Sequence, residues 1–227
     1  MKKFVTICIC ALSLVACGTE EQSKNTQETV QSDAKKAAVE AAPAAMTESQ
    51  VFAYILGREF GLPSYLNQPS RIGAMLDLDA MVQGIVDNAS VLKDTNRVLQ
   101  LSQEEQKKIE IYYAKVKEDR RVAGENAAPV ALAGPITGGK VILSDTTSPI
   151  VKYSYMQGVQ VHMLFTGLGR TFGEEFDTHY FILGLRESVF AEMDPSFKKS
   201  VPEDTLKAVN SRYVERINKI REEQRRQ

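Results

Sequence analysis

The chain states one helical pattern twice. Tyr54-Ile-Leu-Gly57 is answered by Tyr155-Met-Gln-Gly158, and Asp77-Leu-Asp-Ala-Met-Val-Gln-Gly84 by Asp177-Thr-His-Tyr-Phe-Ile-Leu-Gly184. Leu101-Ser-Gln-Glu104 is answered by Val201-Pro-Glu-Asp204, and Tyr113 by Tyr213. The offset is 101 residues in the first block and 100 in the others, so one short indel relates the copies. A supersecondary unit that recurs in this way needs a neighbour to bury its apolar face.

Within each copy a period of 3.6 dominates, which predicts an all-α fold of two tandem three-helix units. The first unit, residues 46–121, opens with a capping-box pair, Thr47 and Gln50. Its first helix carries Phe52, Ile55, Leu56 and Phe60 and is expected to end at Gly61, before Pro63. A second helix follows Asp79 with Met81, Val82, Ile85 and Val86 on one stripe. The third begins at the box Ser102-x-x-Glu105, carries Ile109, Tyr112, Tyr113 and Val116, and runs to about Arg121. The second unit, residues 150–227, repeats this. Ser148-Pro149 open a helix with Tyr155, Met156, Val159 and Met163 that loosens at Gly167 and Gly169. Asp177 caps the next, and the last begins near Ser200 with Pro202 in its first turn. Between the copies lies a linker, residues 122–149, rich in Ala, Gly and Pro. Its brief apolar run Val141–Leu143 reads as a short strand or a packed loop.

The N-terminus carries an address rather than fold. Lys2 and Lys3 precede an apolar run from Phe4 to Leu14, too short to span a bilayer as a mature helix. Leu14-Val-Ala-Cys17 then matches the bacterial lipobox, so residues 1–16 read as a lipoprotein signal and Cys17 as the acylated first residue. Buried acyl chains contribute about 0.8 kcal/mol per methylene, so a multiply acylated cysteine anchors the chain to a membrane. Gly18, in place of an inner-membrane retention aspartate, favours the outer membrane facing the periplasm. Residues 17–45 are polar and poor in aromatics and read as a tether. Cys8 and Cys10 leave with the signal, which excludes an internal disulfide and a cysteine metal site. Without Lys2 and Lys3 the formal charge of −1 becomes about −3 with signs interspersed, which argues against nucleic acid as partner.

Tyr-x-x-Gly-Arg (Tyr54, Gly57, Arg58), then Leu78-Asp79, Gly84 and Asp87, then Leu101-Ser102-x-Glu104-Glu105 opening a long helix resemble the N-terminal dimerisation domain of Mip/FkpA-type FKBP peptidyl-prolyl isomerases. The match covers residues 49–121, and a degenerate one covers 151–225 with Tyr155, Gly158, Asp177 and Gly184. His179, Pro202 and Val159 depart from the pattern where Asp79, Ser102 and Arg58 stand. The resemblance implies a protein-folding context in the envelope and a helical unit that pairs with itself. In the family a β-rich catalytic domain follows, whereas here a second helical copy occupies that place. The resemblance therefore implies a non-catalytic protein of chaperone or interaction type, with a scaffold lipoprotein as the alternative and a prolyl isomerase as a distant third. Two copies in one chain are expected to pack as an intramolecular pseudo-dimer, giving a monomer in solution.

Other constellations read as structure. His162 and His179 lack the partners of a metal or acid–base site. The acid pairs Asp77/Asp79 and Glu104/Glu105 sit at helix starts, where capping and dipole compensation use them. Gly167 to Gly173 lacks the strand of a phosphate loop. No cofactor and no metal are expected. Tyr112, Tyr113 and Tyr213, with Met75, Met81, Met156 and Met163, suit either an adaptable surface for unfolded or partner envelope proteins or the shared core between the copies. The three tyrosines are the candidate interaction surface.

Overall fold

The computed structural model describes residues 46–131, 134 and 136–226; the lipobox, Cys17 and the tether lie outside the described residues. Six long helices carry the fold: α1 Glu48–Leu56, α2 Leu78–Lys93, α3 Gln103–Ala123, α4 Pro149–Phe172, α5 Thr178–Met193 and α6 Glu203–Arg226. The fold is all-α.

Most of the predicted caps form. Thr47 and Gln50 exchange both capping bonds, as do Ser102 and Glu105. Asp77 caps α2 by accepting from the Ala80 amide, so this helix starts two residues earlier than the sequence suggests, and Asp79 is left inside its first turn. Asp177 accepts from His179 N. Ser148 makes no side-chain cap bond, and α4 continues through Gly167 and Gly169 to Phe172. Pro202 lies just before α6, its carbonyl accepting from Leu206 N. The first helix does not stop before Pro63. It widens into a π turn over Gly57–Gly61 and resumes as a short helix, Leu62–Leu66. Pro63 sits in the first turn of that segment, where a missing N–H leaves no bond unmade.

The main helix contacts run between the copies. α1 and the π turn pack on α5, α2 packs on α4, α1 touches α6 and α3 touches α4. Four helical glycines make the close crossings. A Cβ on Gly57 would strike the Phe181 carbonyl oxygen, and one on Gly158 the Met81 carbonyl oxygen. A Cβ on Gly84 would strike the Tyr155 carbonyl oxygen, and one on Gly184 that of Tyr54. Each pair of contacts is related by the offset of the repeat, so the two seams are equivalent. Glycine costs about 1 kcal/mol against alanine inside a helix, and backbone contact of this closeness is what offsets it.

The connector is ordered where it is described. Ala74 and Ala131 form an isolated β-bridge. Val141 and Leu143, in extended loop rather than strand, pack on a small cluster formed by Ala80, Leu101, Tyr155, Met156 and Val159.

Candidate functional site

The repeated tyrosines and glycines, Tyr54, Tyr155, Gly57, Gly84, Gly158 and Gly184, meet at the seam between the copies. Tyr54 of α1 is fully buried and donates its hydroxyl to Glu187 Oε2 of α5 at 2.7 Å. Tyr155 of α4 donates to Asp87 Oδ2 of α2 at 3.0 Å. Glu187 also accepts from the Ser200 amide at 2.8 Å and from its hydroxyl, while Asp87 accepts from Gln100 Nε2 at 2.8 Å and Gln83 Nε2 at 2.7 Å. Both carboxylates are thus surrounded by donors, as the buried Glu187 in particular requires, while Asp87 is half-buried. Burial, the neighbouring carboxylate and the hydrogen bond donated to it push the Tyr54 hydroxyl far above its ordinary range, and burial foremost does the same to Tyr155. A third reciprocal layer is aromatic. Phe52 stacks on Tyr213 with centroids 3.6 Å apart, and Tyr113 packs on Tyr153 at 4.2 Å.

Sequence reading missed Glu187, although it stands 100 residues after Asp87 and the offset could have found it. Arg58 reaches across the copies to Glu203 Oε1 at 2.7 Å. Glu105 serves its capping box, and Glu104 pairs with Lys108 on the exposed face of α3. Asp79 is not a cap. It is 6% exposed and holds the connector, accepting from Thr137 N and Oγ1 and from Gly138 N.

The candidate surface divides. Tyr113 and Tyr213 lie in the core at 5% and 2% exposure, and burial raises each hydroxyl to about 12. That burial corrects their assignment to an interaction surface. Tyr112 remains exposed at 51%, edge-on to Tyr113. Of the methionines, Met81 and Met156 are buried and Met163 is exposed.

His162, on α4, is buried against α2 and the start of α5. Asn88 Nδ2 donates to its Nδ1 at 2.9 Å, which leaves Nε2–H to donate to Thr178 Oγ1 at 3.1 Å. Desolvation, helped by the nearby Lys93 charge, lowers its pKa to about 4 from an ordinary 6.5. The folded state therefore resists a proton that the unfolded chain accepts, so stability is complete above about pH 6.5 and falls as pH drops towards 4. The loss is expected to reach about 3 kcal/mol. Urea unfolding of wild type and His162→Gln across this window checks it: the variant is expected to lose this pH dependence, and parallel profiles would remove His162 as its source.

Two hollows open on the surface, the second reaching the seam at Asp87. One, of about 660 Å³, is rimmed by Arg71, Lys117, Arg120 and Arg121. Three of these cations are committed: Lys117 to the Tyr153 hydroxyl, Arg120 to the Ser70 carbonyl and Arg121 to Glu118. The other, of about 270 Å³, lies between Asp87, Arg97, Val98, Gln100, Lys140 and Ile142, beside the connector. Among the described residues no group of three or more His, Cys, Asp or Glu could hold a metal ion, and no helix is long and apolar enough to cross a membrane.

No family model, curated protein or solved structure matches this chain. What the site can do chemically therefore rests on its own geometry. The tyrosine hydroxyls and carboxylates of the seam are occupied with one another, and exposed apolar side chains are spread over the surface: Val86 and Leu92 on α2, Val98 in the α2–α3 loop, Ile111, Tyr112 and Val122 on α3, Ile142 in the connector, Met163 and Leu164 on α4, and Met193 on α5.

Proposed function

We propose that this is a non-catalytic, lipid-anchored envelope protein of chaperone or protein-interaction type, in which two FKBP N-terminal-like units pair as an intramolecular pseudo-dimer and one helix face receives unfolded or partner proteins. The observation that carries this reading is the asymmetry of α3 and α6. Over its 21 residues α3 buries only Tyr113. It leaves Ile111, Tyr112 and Val122 exposed at 62%, 51% and 72%. At the equivalent positions α6 carries Ser211, Arg212 and Glu222. The fold thus does not require apolar side chains there, and their presence on one copy fits contact with another polypeptide.

At stoichiometric amounts, the soluble form from Thr19 to Gln227 is expected to delay aggregation of a chemically unfolded client, followed by light scattering. Replacing Ile111, Tyr112 and Val122 together by serine is expected to abolish the delay with little change in stability. Unchanged traces with several clients would favour a scaffold lipoprotein instead.

The anchor has its own test. Metabolic labelling with a clickable palmitate is expected to mark the wild type and not Cys17→Ser. Equal labelling of both would remove the lipoprotein assignment.

A further inference from the structure

We infer that the groove walled by α2, the α2–α3 loop and α4 is a binding site for an extended polypeptide segment with apolar side chains two residues apart, and that Thr137–Leu143 of the connector is its resident occupant. This rests on the interaction reading above and supplies that reading with a second, distinct site.

The occupant is gripped through its main chain. Asp79 accepts from the amides of Thr137 at 2.6 Å and Gly138 at 3.0 Å. Gln83 Oε1 accepts from Val141 N at 3.3 Å. Gln100 reads both polarities of the backbone, its Oε1 accepting from Leu143 N at 2.8 Å and its Nε2 donating to Val141 O at 3.0 Å. Val141 and Leu143 turn inward onto Tyr155, Met156 and Val159, while Ile142 between them points out at 75% exposure. Main-chain bonds combined with pockets for alternate side chains form the usual grammar by which proteins bind extended peptides. Such contacts depend little on the identity of the bound sequence, which suits varied clients.

The internal repeat shows that the grip is not a requirement of the fold. At the positions of Asp79, Gln83 and Gln100 the second copy carries His179, Leu183 and Ser200. The Val159 position is taken by Arg58, which is engaged with Glu203. The second copy folds on the same seam without these main-chain acceptors. The three side chains that hold the connector are therefore peculiar to the first copy, where Gln83 and Gln100 also donate to Asp87.

A tethered occupant competes at an effective concentration in the millimolar range, so an incoming segment binds weakly until the connector lets go. The apparent affinity scales with the fraction of molecules whose groove is open. Weakening the connector without touching the groove is therefore the informative change.

The probe is a fluorescein-labelled peptide with the sequence of Thr137 to Ser144, followed by anisotropy on the soluble chain from Thr19 to Gln227. Val141→Ser with Leu143→Ser is expected to bind it at least tenfold more tightly than wild type. Adding Gln100→Ala is expected to cancel the gain, and a peptide with aspartate at both apolar positions is expected not to bind. Should the double variant lose its helical circular dichroism, a second design applies: cysteines at Val98 and Ile142, which line the same small hollow, joined by a bismaleimide. The joined chain is expected to bind less peptide than the same chain unjoined. Equal binding by wild type and a folded weakened chain, binding that survives Gln100→Ala, or equal binding by joined and unjoined chains would each overturn the proposal. Peptide binding without client protection would retire the chaperone reading and leave the groove standing; client protection without peptide binding would do the reverse.

Discussion

Expressed without its partner copy, the segment from residue 46 to residue 131 is expected to be largely unfolded at 25 °C. Its first two helices make their main contacts with the other half, α1 with α5 and α6 and α2 with α4, and α3 touches α4. Tyr54 would lose Glu187, Phe52 would lose Tyr213, and Tyr113 would lose Tyr153. What stays within the copy is mainly the packing of α3 on the short helix Pro69–Ile72. Isolated helices of this length are marginal in water, because tertiary burial of an amphipathic face supplies most of their stability. Mixing this fragment with one spanning residues 136–227 is expected to restore the helical circular dichroism and a cooperative thermal transition. A fragment that unfolds cooperatively as a monomer would show that the copies are independent domains, contrary to the interleaved contacts.

The repeat was legible because 3.6-residue periodicity and capping residues are local signals. Ser102 with Glu105, and Thr47 with Gln50, announce their helices within four residues and form as expected. The all-α class follows from the same local pattern. What the glycines and tyrosines meet was not legible within either copy, since Tyr54 and Glu187 are 133 residues apart. The extension past Pro63 was missed because proline reads as a stop when the helix before it is taken as regular. A π turn re-registers the chain so that the ring falls in a first turn.

Asp79 shows a different limit. An acid two residues after another acid at a helix start reads as a cap or a dipole partner, and Asp77 does take that role. The connector that Asp79 holds is recognised through backbone amides, which leave no side-chain pattern to detect. Tyr113 and Tyr213 fit a surface stripe and a core equally well by spacing, and only the opposing rings of Tyr153 and Phe52 decide between them. The exposed face of α3 emerges only by comparing the copies once burial is known.

Alanine at the seam glycines is expected to invert the ordinary helix rule. In a free helix, glycine to alanine stabilises by about 1 kcal/mol. At Gly57, Gly84, Gly158 and Gly184 the new methyl would run into a backbone carbonyl of the opposing helix, and backbone cannot rotate aside as a side chain can. The helices must separate, which loosens the buried tyrosine–carboxylate bonds and the aromatic pairs beside them. Overpacking that also disturbs such a network is expected to cost about 3 kcal/mol or more at each position. For a body of this size that corresponds to a fall in Tm of about 10 °C. Gly167 supplies the internal control: it lies within α4, and a Cβ there meets nothing within 4 Å. Gly167→Ala is expected to raise stability by about 0.5–1 kcal/mol. Scanning calorimetry on the five variants therefore tests the seam by sign as well as by size. The reciprocal glycine contacts add a further expectation, that Gly57→Ala and Gly158→Ala resemble one another, as do Gly84→Ala and Gly184→Ala. Stabilisation at any of the four seam positions would show that the helices cross further apart there than the carbonyl contacts imply.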